Sequence, residues 1–176
     1  MSTGIRKLQE EYKVIRKKGI LASIGGSCSP INNDFLHWFG CITGPRNTPY
    51  SDGIYYFEIK FKEGYPNEGP IDVQMRTPIY HPNISSSNGH ICESYFSDWK
   101  NTNDVVGIVN TIFDLLDDPN PLSSYQGMNN EKAFKLKKKY ASQEQTFDWT
   151  NSWGKGWNLY EDEEAKEKEK DAFEFI

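Results

Sequence analysis

Cysteine and histidine are both scarce in this chain, three of each among 176 residues. Cys28, Cys41 and Cys92 are an odd number with no paired spacing, which argues against a disulfide scaffold and for a reducing compartment. There is no CxxC, so the usual zinc patterns are excluded. Long apolar runs are missing too; none comes near the ~20 residues of a membrane helix. The opening stretch "MSTGIRKLQEEYK" is charged from Arg6 onward and has no apolar centre, so no targeting segment is expected. An excess of positive charge is also absent. With 20 Lys and Arg against 25 Asp and Glu, the net charge of −5 gives no support to phosphate-driven nucleic-acid binding. These absences predict a cytosolic or nuclear protein with neither nucleic acid nor membrane as partner. The length suits one domain of about 150 residues plus a tail. A domain of that size buries roughly 70% of its unfolded surface and needs no disulfide or metal to fold.

The chain divides by texture. Residues 5–18 predict a helix, because Ile5, Leu8, Tyr12 and Ile15 share one face and Gly19 is a plausible stop. From 20 to 75 the signals become those of strands. "FLHWFGCIT" (35–43), "GIYYFEIKF" (53–61) and "IDVQM" (71–75) are rich in aromatic and β-branched residues. The clusters "SPINND", "GPRNTPYSDG" and "KEGYPNEGP" separate them as turns. Consecutive strands with short turns suggest an antiparallel meander. This reading leaves Cys28 in a turn and Cys41 in a strand. A second helix is expected over 104–117, with Val105, Ile108, Val109, Ile112, Leu115 and Leu116 as its apolar face and Pro119 ending it. A third is expected over 130–142, with Ala133, Leu136 and Tyr140 inward.

Between the strands and the second helix, residues 76–102 have no period and are rich in Ser, Asn, Gly and Pro. A structureless loop that long is usually functional. It contains "YHPNISSSNGHICESYFSDW", with one thiol nine residues after an Asn. The residues admit four readings. Cys92 could be a small buried hydrophobe, with His81 a satisfied turn residue. It could be a metal ligand with His81 and His90. It could be a hydrolase nucleophile, drawing on one of those histidines as base. Or it could be a carrier thiol that holds an acyl group and passes it on.

The chain resembles the ubiquitin-conjugating enzymes, and the resemblance favours the carrier. It runs collinearly over about 5–142. It takes in "KLQEEY", "WFGCITGPRNTPYSDGIYYFEIKF", "YP" at 65–66 with Pro70, "IYHPNI", Gly89, "IC", Trp99, "LLDDPNP" and the basic last helix. The resemblance implies an α+β fold of that family's kind: a four-stranded antiparallel meander sheet, an N-terminal helix, a central helix after the catalytic loop and C-terminal helices. It implies a core domain over 1–142 and a separate extension over 143–176. It implies that ubiquitin is taken as a thioester on Cys92 from an activating enzyme and passed to a substrate lysine with a ligase, without a cofactor or metal. Asn83 would donate to the oxyanion formed as the lysine adds, and His81, structural in the family, would stiffen the turn that aims it. Ser123 and Ser94 fall at supporting positions beside the groove. Arg6 and Lys7 would meet the activating enzyme; Pro66, Asn67, Lys100 and Asn101 would meet the ligase. Two alternatives share the fold: a conjugating enzyme for another modifier, of the NEDD8 or SUMO type, and a non-catalytic ubiquitin-binding variant.

This sequence departs from the family pattern in several places. Glu93-Ser94 follows the thiol where Leu-Asp is common, Asn67 replaces an aromatic after "YP", and Trp99-Lys100-Asn101 replaces "WSP". Beyond Ser142 come five large aromatics (Phe147, Trp149, Trp153, Trp157 and Tyr160) and then a charged run. An acidic extension of this kind is most similar to the branch that can modify histones, so basic proteins are expected among the substrates.

Overall fold

The computed structural model describes residues 2–120 and 130–141, without the side chains of 130, 132 and 140. The inward placement expected for Tyr140 and the whole extension from 143 therefore lie outside the described residues. The first helix, α1, is Thr3–Lys18. Ser2 caps it, accepting from Ile5 N–H at 3.2 Å, and Gly19 ends it at φ 55°, a conformation that favours glycine. Leu8 and Ile15 are buried as the spacing predicts, and Glu11 is buried between them.

Four strands follow as an antiparallel meander: β1 Ser27–Ile31, β2 Asp34–Thr43, β3 Ile54–Phe61 and β4 Pro70–Met75. This is the sheet that the resemblance implied, with one correction to the reading from residues. Cys28 is not in a turn; it lies on β1 and pairs with Gly40. "SCSPI" has a single β-branched residue, Ile31, and no aromatic to announce a strand, and it forms because β2 offers it a partner. As an edge strand it tolerates Pro30. Only Asn32-Asn33 is the turn; both residues have positive φ, 49° and 63°, as a two-residue hairpin requires.

Alternation then separates two faces. Trp38, Ile42, Tyr55, Phe57, Ile59, Phe61, Val73 and Met75 point into the core. His37, Glu58, Lys60, Asp72 and Gln74 point the other way. There Glu58, 4% exposed, is held by Arg76 at 3.2 Å, by Lys60 at 3.6 Å and by His37.

Helix α2, Val105–Asp117, covers the core face. Asp104 caps it by accepting from Gly107 N–H at 2.8 Å, and all six apolar residues expected on its inner face are buried. Helix α3 is Asn130–Leu136, with Ala133 and Leu136 buried, and it widens into a π-type turn over Lys137–Ala141. Glu11 joins three elements. It accepts from Tyr65 Oη at 2.8 and 2.9 Å and from Val105 N–H at 2.9 Å, and Lys7 lies 3.8 Å away. Burial raises its carboxyl pKa, and these partners oppose the rise.

Candidate active site

The segment 76–102 leaves the end of β4 and packs under the C-terminal end of α2. His81 and Asn83 are fully buried there. His81 Nε2–H donates to the carbonyl of Leu115 at 2.8 Å, and Nδ1 accepts from Asn83 N–H at 3.0 Å. With both ring nitrogens spent on backbone, the imidazole is held in one neutral tautomer. Burial pushes its pKa down to about 4, against the pull of the Leu115 bond. The ring of Tyr50 lies 5.5 Å from it, and Tyr50 Oη donates to Tyr80 O at 2.7 Å. His81 thus ties the turn to α2 through both of its ring nitrogens.

His81 sets Asn83, and Asn83 sets the thiol. Asn83 Nδ2 donates to Asn120 O, and Asn120 N–H donates back to Asn83 Oδ1, each at 2.8 Å. This reciprocal pair ties the loop to the chain just past α2. The carbonyl of Asn83 accepts from Cys92 N–H at 3.2 Å, so the amide and the half-buried thiol hang from one backbone link. Ser94, expected as a supporting residue, lies beside the sulfur, Oγ to Sγ 3.1 Å. Tyr95, which the sequence reading passed over, brings a buried hydroxyl with no partner of good hydrogen-bonding geometry. Burial first and the nearby Cys92 second raise its pKa, and Asn120 opposes them. The signal in sequence was slight: an aromatic three residues past the thiol in a polar loop. Ser123 lies outside the described residues.

His90 is also committed. Its Nδ1 lies 2.6 Å from Asp72 Oδ1, and its Nε2 lies 2.7 Å from Gln74 Nε2. Asp72 and Gln74 carried no signal of this in sequence, since they read as the polar face of a strand. Among the described residues no group of three His, Cys, Asp or Glu side chains is placed to hold a metal ion. A groove of about 960 Å³ opens between β4 and the segment after the thiol, with Cys92 in its wall.

A buried neutral His, a buried Asn and a reachable thiol on one braced loop suit acyl carriage better than hydrolysis. A thioester is already activated toward amines and needs no strong base. The family profile described as ubiquitin-conjugating enzyme matches residues 7–149. The chain is 37% identical over 125 residues to "Ubiquitin-conjugating enzyme E2 2" of Saccharomyces cerevisiae, covering 70% of each protein. The protein of the same name from Candida glabrata is 36% identical, over 70% of this chain and 72% of that one. A Plasmodium yoelii crystal structure assigned to the ubiquitin-conjugating enzymes superposes with a TM-score of 0.72 at 27% identity, covering 82% of this chain and 99% of that one. The chain belongs to the ubiquitin-conjugating enzyme family.

Members of this family work with ubiquitin, an activating enzyme and a ligase, and the expected partner residues fall into two groups here. Trp99 Nε1–H donates to Pro66 O at 2.8 Å, which brings the 65–67 and 99–101 loops side by side. Asn67, Lys100 and Asn101 are exposed on them. Arg6 is exposed on α1, and Lys7 leans on Glu11. Gly4 places the start of α1 against these loops. A Cβ there would come within 2.5 Å of Glu63 O and 2.7 Å of Tyr65 O, so only glycine allows the approach.

Proposed function

We propose that this ubiquitin-conjugating enzyme carries ubiquitin as a thioester on Cys92 and delivers it to a substrate lysine. The carbonyl carbon of ubiquitin's C-terminus leaves the activating enzyme's sulfur and bonds to Cys92 Sγ. A lysine amine then adds to that carbon, the C–S bond breaks as the amide forms, and the thiol is restored when the amine's proton is released. Asn83 serves the oxyanion of the second step. Arg6 and Lys7 contact the activating enzyme, and Pro66, Asn67, Lys100 and Asn101 contact the ligase. The extension beyond 142, a unit distinct from the core, draws basic substrates such as histones. The enzyme works in the cytosol and nucleus.

The observation that carries this reading is the suspension of Cys92 from Asn83, with His81 neutral behind it. The experiment is charging with activating enzyme and ATP, offering ubiquitin and, in parallel, NEDD8- and SUMO-type modifiers. A reducible ubiquitin adduct is expected. Cys92→Ser converts it to a thiol-resistant ester or abolishes it, and Cys92→Ala abolishes it. Normal charging of Cys92→Ala overturns the assignment; charging only by another modifier overturns the choice of ubiquitin.

A further inference from the structure

The edge of β4 is only half covered. The loop strand at 89–91 pairs with its far half: Met75 N–H donates to Gly89 O at 2.8 Å, Ile91 N–H donates to Val73 O at 3.1 Å, and Gln74 faces His90. Two more residues of that register would set Cys92 opposite Asp72 and then Glu93 opposite Ile71. The pairing stops instead, because the chain curls into a single 3-10 turn at Glu93–Tyr95, the point where the next bond to β4 would form. Among the described residues no strand pairs with β4 on that side at 70–72. By strand alternation, Ile71 shares the outward phase of Val73 and Met75, so its backbone groups face the uncovered side.

The groove beside the thiol runs along this uncovered stretch. Pro70, Ile71 and Asp72 form one wall, and Cys92, Glu93 and Phe96 form the other. Ile71 is 58% exposed, a large apolar side chain at the groove's edge. The charges there are unequal. Lys62, at one end, is paired with Glu68 at 3.1 Å, and His90 holds one oxygen of Asp72 at 2.6 Å, so the exposed carboxylate of Glu93 leads the acidic bias and Asp72 adds to it. An open strand edge, an apolar contact and an acidic bias are what an extended basic segment needs in order to bind.

We propose that this groove seats the acceptor segment of the substrate as a short added strand on β4, and that Asp72 and Glu93 select a basic residue within about two positions of the acceptor lysine. Extended backbone puts alternate side chains on one face, roughly 7 Å apart. A lysine directed at Cys92 therefore leaves its near neighbours beside Asp72 and Glu93. The inference rests on the thioester reading and deepens it by naming a substrate class.

The test uses the full chain charged with ubiquitin, and short peptides with one lysine flanked by arginine, alanine or glutamate. Each rate is the discharge of thioester already formed, so the ratio between peptides does not depend on how fast a variant charges. The arginine-flanked peptide is expected to react about tenfold faster than the glutamate-flanked one, as charge complementarity across a site permits. Glu93→Lys, at an exposed position, is expected to reverse that order, and Asp72→Asn to weaken it. N-methylation at alternate peptide amides is expected to slow the reaction, and at the intervening amides to leave it. Equal rates for all peptides on charged enzyme, or a preference that Glu93→Lys leaves intact, overturns the selection. Methylation that acts alike at every position overturns the added strand. If no thioester forms, the carrier reading fails and the groove proposal falls with it, a result distinct from normal charging without preference.

Discussion

Taking an imidazole out of water penalises its charged form, and His81 carries that penalty in full because it is wholly buried. The unfolded chain takes up the proton near pH 6.5, and the folded chain only near pH 4. Below 6.5 the unfolded state therefore binds more protons, and stability falls as pH falls. The contribution is complete above 6.5 and gone below 4. A gap of that size corresponds to on the order of 3 kcal/mol, about 2 of it between pH 6.5 and 5. Urea unfolding at pH 7 and pH 5 measures it, with His81→Gln as the non-titrating comparison. The wild-type chain is expected to lose about 2 kcal/mol more than the variant across that interval. Equal losses contradict a buried neutral histidine. The role of His81 was legible from the resemblance and not from the residue itself. A histidine beside a thiol reads equally as base, ligand or peg until its two nitrogens have partners. Those partners, Leu115 O and Asn83 N–H, include one 34 residues away in sequence.

Between elements, the reciprocal bonds of Asn83 and Asn120 fasten the loop after β4 to the chain after α2, across 37 residues. The oxyanion role proposed for Asn83 and its fastening role would draw on the same amide, so Asn83→Ala tests both. Losing these two part-buried bonds costs about 1–3 kcal/mol. Loss of an oxyanion donor costs about 10²–10³ in rate. Asn83→Ala is therefore expected to lower the melting temperature and to slow discharge to free lysine by that order. Charging is expected to fall much less. Charging and discharge that fall together would leave only the fastening role. At this scale the sequence was a good guide where a period repeats. The six inward residues of α2 and the alternation of β2 and β3 are plain in it, because burial on one face imposes spacing. It was a poor guide at β1, whose five residues are specified by the partner strand and by Asn32-Asn33. It was also poor at Glu11, an acidic residue on an apolar face whose reason, Tyr65 and Val105 N–H, lies in other elements.

The chain as a whole distributes its charge unevenly. The run 161–174 holds eight acidic and three basic residues, so it alone accounts for the net charge of −5 and the rest of the chain is neutral. The site follows the same division between local and distant information. The thiol and the buried pair His81 and Asn83 were legible because they lie close together on one loop. The groove was not, because it is assembled from a strand, a loop and the place where their pairing stops. The core over 1–142 carries 16 basic and 15 acidic residues, so it has no net negative charge to draw a basic substrate from a distance; any such pull must come from the extension, and salt must screen it. Truncation after Ser142 separates the two contributions. Discharge to free lysine is expected to stay nearly unchanged. Modification of a histone is expected to fall about tenfold or more at low ionic strength, and by less as salt is raised. Equal histone modification with and without the extension at low salt would remove it from substrate capture and leave the core's own groove to choose the acceptor.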